Sequence, residues 1–138
     1  MGNASTAKNI ENIRAQKAYE FADKAKNIEN YDSHVKKIPA MIQTNGLSAT
    51  LAFVFTQNKT SYKTIYTNIF NWLRDKECPV NHFFQDNFDE KALVQKIVSL
   101  NSNDYRAVTV EILAFFNWLR RFADGLCEGK PKKDNDDE

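Results

Sequence analysis

From Asp104 to about Gly125, apolar side chains return at Val108, Ile112, Phe115, Phe116, Leu119 and Phe122, which is the rhythm of one helix face held for about six turns. A stripe that long has to be covered by other elements, and the chain carries few residues that would break helices: 4 Gly and 3 Pro. With 42% hydrophobic and 12% aromatic residues, it is also too apolar for disorder and too poor in turn residues for an all-β fold. A chain of 138 residues buries roughly two thirds of its unfolded surface, so a metal or disulfide staple is not needed. The expected fold is all-α: a single compact bundle of five or six helices, one domain over residues 1–129 with a charged flexible C-terminal tail over 130–138.

The other segments carry the same period. From Ser5 or Thr6 to about Glu29, Asn9, Asn12, Gln16, Glu20, Asp23 and Asn27 form a polar face, opposite Ile10, Ala18, Phe21, Ala22, Ala25 and Ile28. The small alanines imply a close helical neighbour. Asp32 or Ser33 is the expected cap of a second helix through Val35, Ile38, Met41 and Ile42; Pro39 lies inside it, and Asn45-Gly46 turns the chain at its end. Leu47 to about Gln57 is apolar almost all round and is therefore expected at the centre of the core, where Phe53→Ala would cost about 3–5 kcal/mol. Thr60 or Ser61 is the expected cap of a fourth helix burying Tyr62, Ile65, Tyr66, Ile69, Trp72 and Leu73, ended by Cys78-Pro79. Val80 to Phe88 has no steady period and reads as a loop or broken helix pinned by Phe83, Phe84 and Phe88. Asp89 is expected to cap a short helix with Leu93, Ile97, Val98 and Leu100, and Ser102 the last one. Phe70-Asn71-Trp72-Leu73-Arg74 recurs as Phe116-Asn117-Trp118-Leu119-Arg120, which reads as convergent packing because nothing upstream aligns at the same offset.

No Gly-rich phosphate loop, metalloprotease motif or nucleophile elbow is present. His34 and His82 stand alone and share no ligand spacing with Cys78 and Cys127, so neither catalytic nor metal residues are assigned and both cysteines read as structural thiols. Asp86, Asp89 and Glu90 are a weak candidate carboxylate pair for a metal. Nothing in the chain resembles a secretion signal or a membrane span, which implies the cytoplasm; the opening Met1-Gly2-Asn3-Ala4-Ser5-Thr6 fits an N-myristoylation pattern without a polybasic second anchor and reads as chance.

Charge is more informative. Asp134, Asp136, Asp137 and Glu138 form an acidic end, and removing these from the 18 acids leaves 14 against 19 basic residues, a net +5 over residues 1–133. Lys63, Thr67 and Arg74 fall on one edge of the fourth helix; Arg106, Asn117, Arg120 and Arg121 share a sector of the last; Lys36 and Lys37 open the second. Converging edges of this kind would form a phosphate-tracking groove, whereas separate ones are solvated faces. Glu111 projects near Trp118 rather than with the arginines, placed to pair with a Lys of a neighbouring helix or to accept from an indole.

The stretch from His34 to Phe53, with its basic pair Lys36-Lys37, Ile38-Pro39 and the turn Thr44-Asn45-Gly46-Leu47 before an apolar helix, resembles the signature of the small helical subunit of the Cmr complex. Tyr105-Arg106, Thr109, Glu111 to Phe115 and Trp118 to Ala123 resemble that family's second signature. The resemblance implies a noncatalytic structural subunit of a type III-B CRISPR effector, with no cofactor and no small-molecule substrate. It would stack in a short filament of its own copies beside the backbone subunit and the large polymerase-like subunit, lining the channel for crRNA-guided target RNA. Position by position it implies RNA or subunit contacts at Lys36, Lys37, Gln43, Asn45, Arg106, Arg120 and Arg121; the charge pattern adds Lys63 and Arg74. A helical protein–protein adaptor without nucleic-acid contact is the alternative.

Overall fold

The computed structural model describes residues 3–127, with side chains from residue 9 onward. Its α-helices are α1 (Asn3–Ala25), α2 (Tyr31–Asn45), α3 (Leu47–Thr56), α4 (Thr60–Arg74), α5 (Leu93–Val98) and α6 (Ser102–Leu126), with short 3₁₀ turns at Asn81–Phe84 and Glu90–Ala92. No strand occurs among the described residues. The acidic tail and the Met1-Gly2 pair lie outside them.

Helix α6 organises the bundle. It buries Val108, Ile112, Phe115, Phe116 and Leu119 as its period requires, while Phe122 is half-buried. Helix α1 lies along it: Ala18, Ala22 and Ala25 are buried, and their short side chains let the two backbones approach closely. Phe21 meets Phe115 edge-on at 5.7 Å, and Tyr19 meets Phe122 at 5.3 Å. The next longest packing surface joins α2 to α6, and α4 closes the core by stacking Trp72 on Phe115 at 4.8 Å.

Helix ends depart from expectation mainly at their caps. The last helix is capped by Asn101, not Ser102: its extended backbone aims the side-chain oxygen at the Asp104 amide, 2.9 Å away. Helix α1 stops at Ala25, a turn short of Glu29, where the Ile28 amide donates to the Ala25 carbonyl at 2.9 Å and the chain turns; Asn30, left-handed at φ 66°, which Asn tolerates better than most residues, completes that turn. Asn30 then precedes α2, so Asp32 and Ser33 sit inside its first turn. Neither Thr60 nor Ser61 caps α4; Lys59 precedes it without a side-chain cap, and Ser61 is buried against His34. Asp89 makes no side-chain cap either; its carbonyl accepts from the Ala92 amide at 3.0 Å.

Helix α3 is not the centre of the core. Leu47, Thr50, Leu51 and Val54 face inward, but Phe53 and Phe55 are 39% and 44% exposed. Composition marks the helix as apolar all round, yet it packs at the edge of the bundle against α2, α4 and α5. The two Phe-Asn-Trp-Leu-Arg segments likewise share only part of their packing: Leu73 and Leu119 are both fully buried, whereas Trp72 is buried and Trp118 only half so. That is convergence on one packing position rather than repetition of a unit.

Between 78 and 103 the chain is pinned by a basic and aromatic clasp. Arg74 donates to the carbonyls of Phe84 at 3.1 Å and Asp86 at 2.9 Å, with its guanidinium 5.0 Å from the Phe88 ring centre. Lys96 holds the Asp86 carboxylate at 2.7 Å.

The polar exception in the core is Glu111, 3% exposed on the apolar stripe of α6. It accepts from Arg14 Nε at 2.8 Å and Nη2 at 2.7 Å, and from the Trp72 indole at 3.1 Å. Arg14 continues to Glu11 at 2.8 Å, which accepts from the Trp118 indole at 2.9 Å. Glu111 does accept from an indole, but that of Trp72 rather than the expected neighbour Trp118, whose indole goes to Glu11, and the cation is Arg14 rather than a lysine. Glu111→Ala strands a largely buried guanidinium and an indole N–H, and is expected to cost about 3–5 kcal/mol in urea unfolding, with Glu111→Gln losing less. Phe53→Ala, by contrast, now removes a half-exposed ring and is expected to cost about 1 kcal/mol in the same assay.

Candidate functional site

The two signature segments meet on one seam, because α2 and α6 pack with the start of one beside the end of the other. At one end Lys36 Nζ lies 3.5 Å from Asp124 Oδ1, both exposed. Midway, Pro39 and Gln43 of α2 share a shallow depression with Asn117 and Arg120 of α6. At the far end the Ser48 amide donates to the Tyr105 hydroxyl at 2.9 Å, and Tyr105, Arg106 and Thr109 line a second depression. Lys36, Gln43, Arg106 and Arg120 are exposed along this seam, and Asn45 is exposed where α2 ends. Lys37 is half-buried in the first half of α2.

The remaining candidates stand elsewhere. Lys63 lines a groove with Phe55, Tyr66 and Glu90, on the side of α3 and α4. Arg74 is committed to the clasp described above. Arg121 is exposed with its guanidinium 5.7 Å from the centre of the Trp118 ring, toward α1, so it and Arg120 flank opposite edges of their sector. The basic edges thus converge in part: α2 and α6 make one line, and α4 does not join it.

The far end of the seam explains two signature positions together. Gly46 has φ 91° and ψ 161°, a conformation nearly confined to glycine, and it links α2 to α3 without any intervening residue. As a glycine it offers α3 no capping side chain, so an amide in the first turn of α3 would be left without an acceptor. Tyr105 supplies that acceptor from α6, its hydroxyl 3.7 Å from where a Cβ on Gly46 would stand. Tyr105 is legible in the sequence as a signature residue, but its capping role is visible only in three dimensions.

The titratable groups away from the seam have structural partners. His34 is fully buried, its Nδ1 2.5 Å from Ser61 Oγ and its ring stacked on Tyr62 at 4.1 Å. His82 is exposed beside Phe83. Cys78 and Cys127 are both buried; burial pushes the Cys78 thiol up to about 12, and Cys127 donates to the Lys26 carbonyl at 3.5 Å. The Glu90 carboxylate accepts from the Thr67 hydroxyl, and Asp86 is held by Lys96. Among the described residues no three His, Cys, Asp or Glu side chains come together to hold a metal, and no helix is long and apolar enough to cross a membrane.

Residues 10–126 match the family model of a CRISPR-associated protein (Cas_Cmr5), which puts this seam-bearing bundle among the small all-α CRISPR-associated proteins. The chain is 29% identical over 119 residues to the CRISPR system Cmr subunit Cmr5 of Thermus thermophilus, covering 84% of this chain and 94% of that one. It also superposes on the crystal structure of a CRISPR-associated Cmr5 family protein from the same organism with a TM-score of 0.69 and 27% identity, over 86% of this chain and 97% of the other. The chain belongs to the Cmr5 family.

The junction at Gly46 gives a stability prediction. Gly46→Ala forces a side chain into a glycine conformation and is expected to cost about 1–3 kcal/mol. Tyr105→Phe removes the acceptor of the Ser48 amide and is expected to cost about 1 kcal/mol. Because the residues share one turn, the double variant measured by thermal or urea unfolding should fall short of the sum of the two.

Proposed function

We propose that this chain is a noncatalytic small subunit of a type III-B CRISPR Cmr effector complex in the cytoplasm. There it stacks with its own copies beside the backbone and large polymerase-like subunits and presents the α2–α6 seam to crRNA-guided target RNA. The observation that carries this reading is the convergence of both signature segments on that seam, with Lys36, Gln43, Arg106 and Arg120 exposed along it. Arginine forks can grip phosphate oxygens in pairs, and Gln43 and Asn117 supply neutral hydrogen-bonding groups between the charges. Contacts of this type track a backbone without reading bases, as a subunit that accepts any target sequence requires. Lys37 and Asn45 extend the same line at its two ends. Lys63 and Arg121 are assigned to contacts with neighbouring subunits, and Arg74 to holding its own loop.

A protein–protein adaptor without RNA contact is the second reading, favoured by the uncharged outer face of α3 with Phe53 and Phe55 half-exposed. The variant Arg106→Ala with Arg120→Ala separates the two. In the assembled complex it is expected to bind single-stranded target RNA more weakly whatever the sequence, and to flatten the salt dependence of log K by about 0.7 for each lost phosphate contact. Unchanged affinity and slope overturn the RNA-lining role. Loss of the variant from the complex, with no RNA binding by the free chain, puts the adaptor first.

A further inference from the structure

We infer that the depression midway along the α2–α6 seam is a subsite for a ribose of single-stranded RNA, a reading that rests on the RNA-facing role proposed above. In it the carboxamides of Gln43 and Asn117 engage the 2′-hydroxyl while Arg120 holds the neighbouring phosphate.

Each helix supplies one wall. Pro39 and Gln43 come from α2, and Leu113, Ala114, Asn117 and Arg120 from successive turns of α6, around about 480 Å³ of open space. Small-ligand sites span about 300–1,000 Å³, so there is room for one nucleotide unit and not for a run of them. The floor is aliphatic: Pro39, Leu113 and Ala114 are half-buried, and no aromatic ring lines the site. Proteins that hold the bases of single strands do so largely by stacking them on aromatic rings, and this floor offers none. A ribose, with its C–H edge and its hydroxyl, suits it better than a base.

The polar groups narrow the ligand further. Gln43, Asn117 and Arg120 are exposed, and their side chains have no hydrogen-bond or ion-pair partner among the described residues. A 2′-hydroxyl both donates and accepts a hydrogen bond, and a carboxamide can answer it in either sense through its NH₂ or its C=O, whereas lysine and arginine only donate. Two carboxamides beside one guanidinium therefore match a sugar hydroxyl next to a phosphate, where a site built for phosphates alone would carry more cations. The depression at the far end of the seam lacks such a pair. It has no carboxamide beside Arg106, and two of its three hydroxyls are engaged: Tyr105 accepts from the Ser48 amide, and Thr109 donates to the Tyr105 carbonyl at 2.9 Å. Discrimination of RNA from DNA thus falls to the midpoint of the seam.

Two readouts on the full chain test this, with an oligouridylate and the 2′-deoxy oligouridylate of equal length, which differ only in the 2′-hydroxyl. In NMR titrations at low salt, the ribose oligomer is expected to shift the side-chain NH₂ resonances of Gln43 and Asn117, and the deoxy oligomer to leave them nearly in place. In fluorescence anisotropy the natural chain is expected to bind the ribose oligomer about three- to tenfold tighter, the worth of about one net hydrogen bond. Gln43→Ala with Asn117→Ala should lose that preference and keep the natural salt dependence, because the phosphate contacts remain. Equal affinities of the natural chain for the two oligomers overturn the ribose site, and leave the lining role standing where Arg106→Ala with Arg120→Ala still flattens the salt dependence. A ribose preference that survives in the carboxamide variant overturns the assignment to Gln43 and Asn117. Side-chain resonances that neither oligomer moves overturn the site as well, and the lining role is then decided by the assembled complex alone.

Discussion

The bundle depends on one buried ion pair. Arg14 on α1 and Glu111 on α6 meet through two hydrogen bonds, and Trp72 on α4 gives Glu111 a third. Three helices from distant parts of the sequence must therefore come together in one register, because any slip leaves a charge in the apolar interior. A hydrophobic triple would hold the helices as firmly, since desolvation cancels much of the Coulomb gain of a buried pair. What the pair adds is direction: a guanidinium and a carboxylate accept few relative placements, whereas apolar side chains accept many. The extension through Glu11 to Trp118 carries the same constraint to the surface of α6.

Register along α6 decides where the seam lies. With Glu111 held toward α1 and α4, the opposite edge of α6 turns toward α2, and Tyr105, Arg106, Asn117 and Arg120 line up beside it. Gly46 then brings α3 away from α2 in a single residue, and the Tyr105 hydroxyl closes the exposed amide that this abrupt start leaves. The signature residues thus divide in two. Gly46 and Tyr105 shape the corner, while Gln43, Arg106 and Arg120 stand in solvent and have no role in holding it.

Much of this is legible in the sequence. Period alone places the helices and nearly all of their buried residues, because an amphipathic stripe is a direct record of which face is covered. The stripe fails for α3, which is apolar on every side: composition cannot tell a helix surrounded by its own chain from one that leaves Phe53 and Phe55 partly open. Caps differ from expectation by a residue or two because several capping side chains stand in a row, and only the backbone angles choose among them. The ion pair leaves a fainter trace. Arg14 lies four residues before Ala18 on the buried alanine stripe of α1, and Glu111 lies among the apolar positions of α6. Opposite charges, each alone on an otherwise apolar face, are the mark of a buried partnership.

The arginines show why charge pattern gives less than period. Arg14 and Arg74 have their donors taken up inside the fold, by carboxylates in one case and by loop carbonyls in the other. Arg106, Arg120 and Arg121 are exposed. All five look alike in a sequence, and the helix edge that groups Arg74 with Lys63 is real but is consumed by the segment it clamps. The clasp lets residues 78–103 fold against α4 with few regular hydrogen bonds, since Arg74 satisfies two carbonyls that no helix reaches. A planar fork fixed between aromatic rings and backbone acceptors is ordered before any partner arrives, and so contributes to the fold and not to recognition. Recognition falls to those arginines whose helix presents them beside a second helix while leaving their donors free of the core, and in this chain the α2–α6 seam is where Arg106 and Arg120 meet that condition.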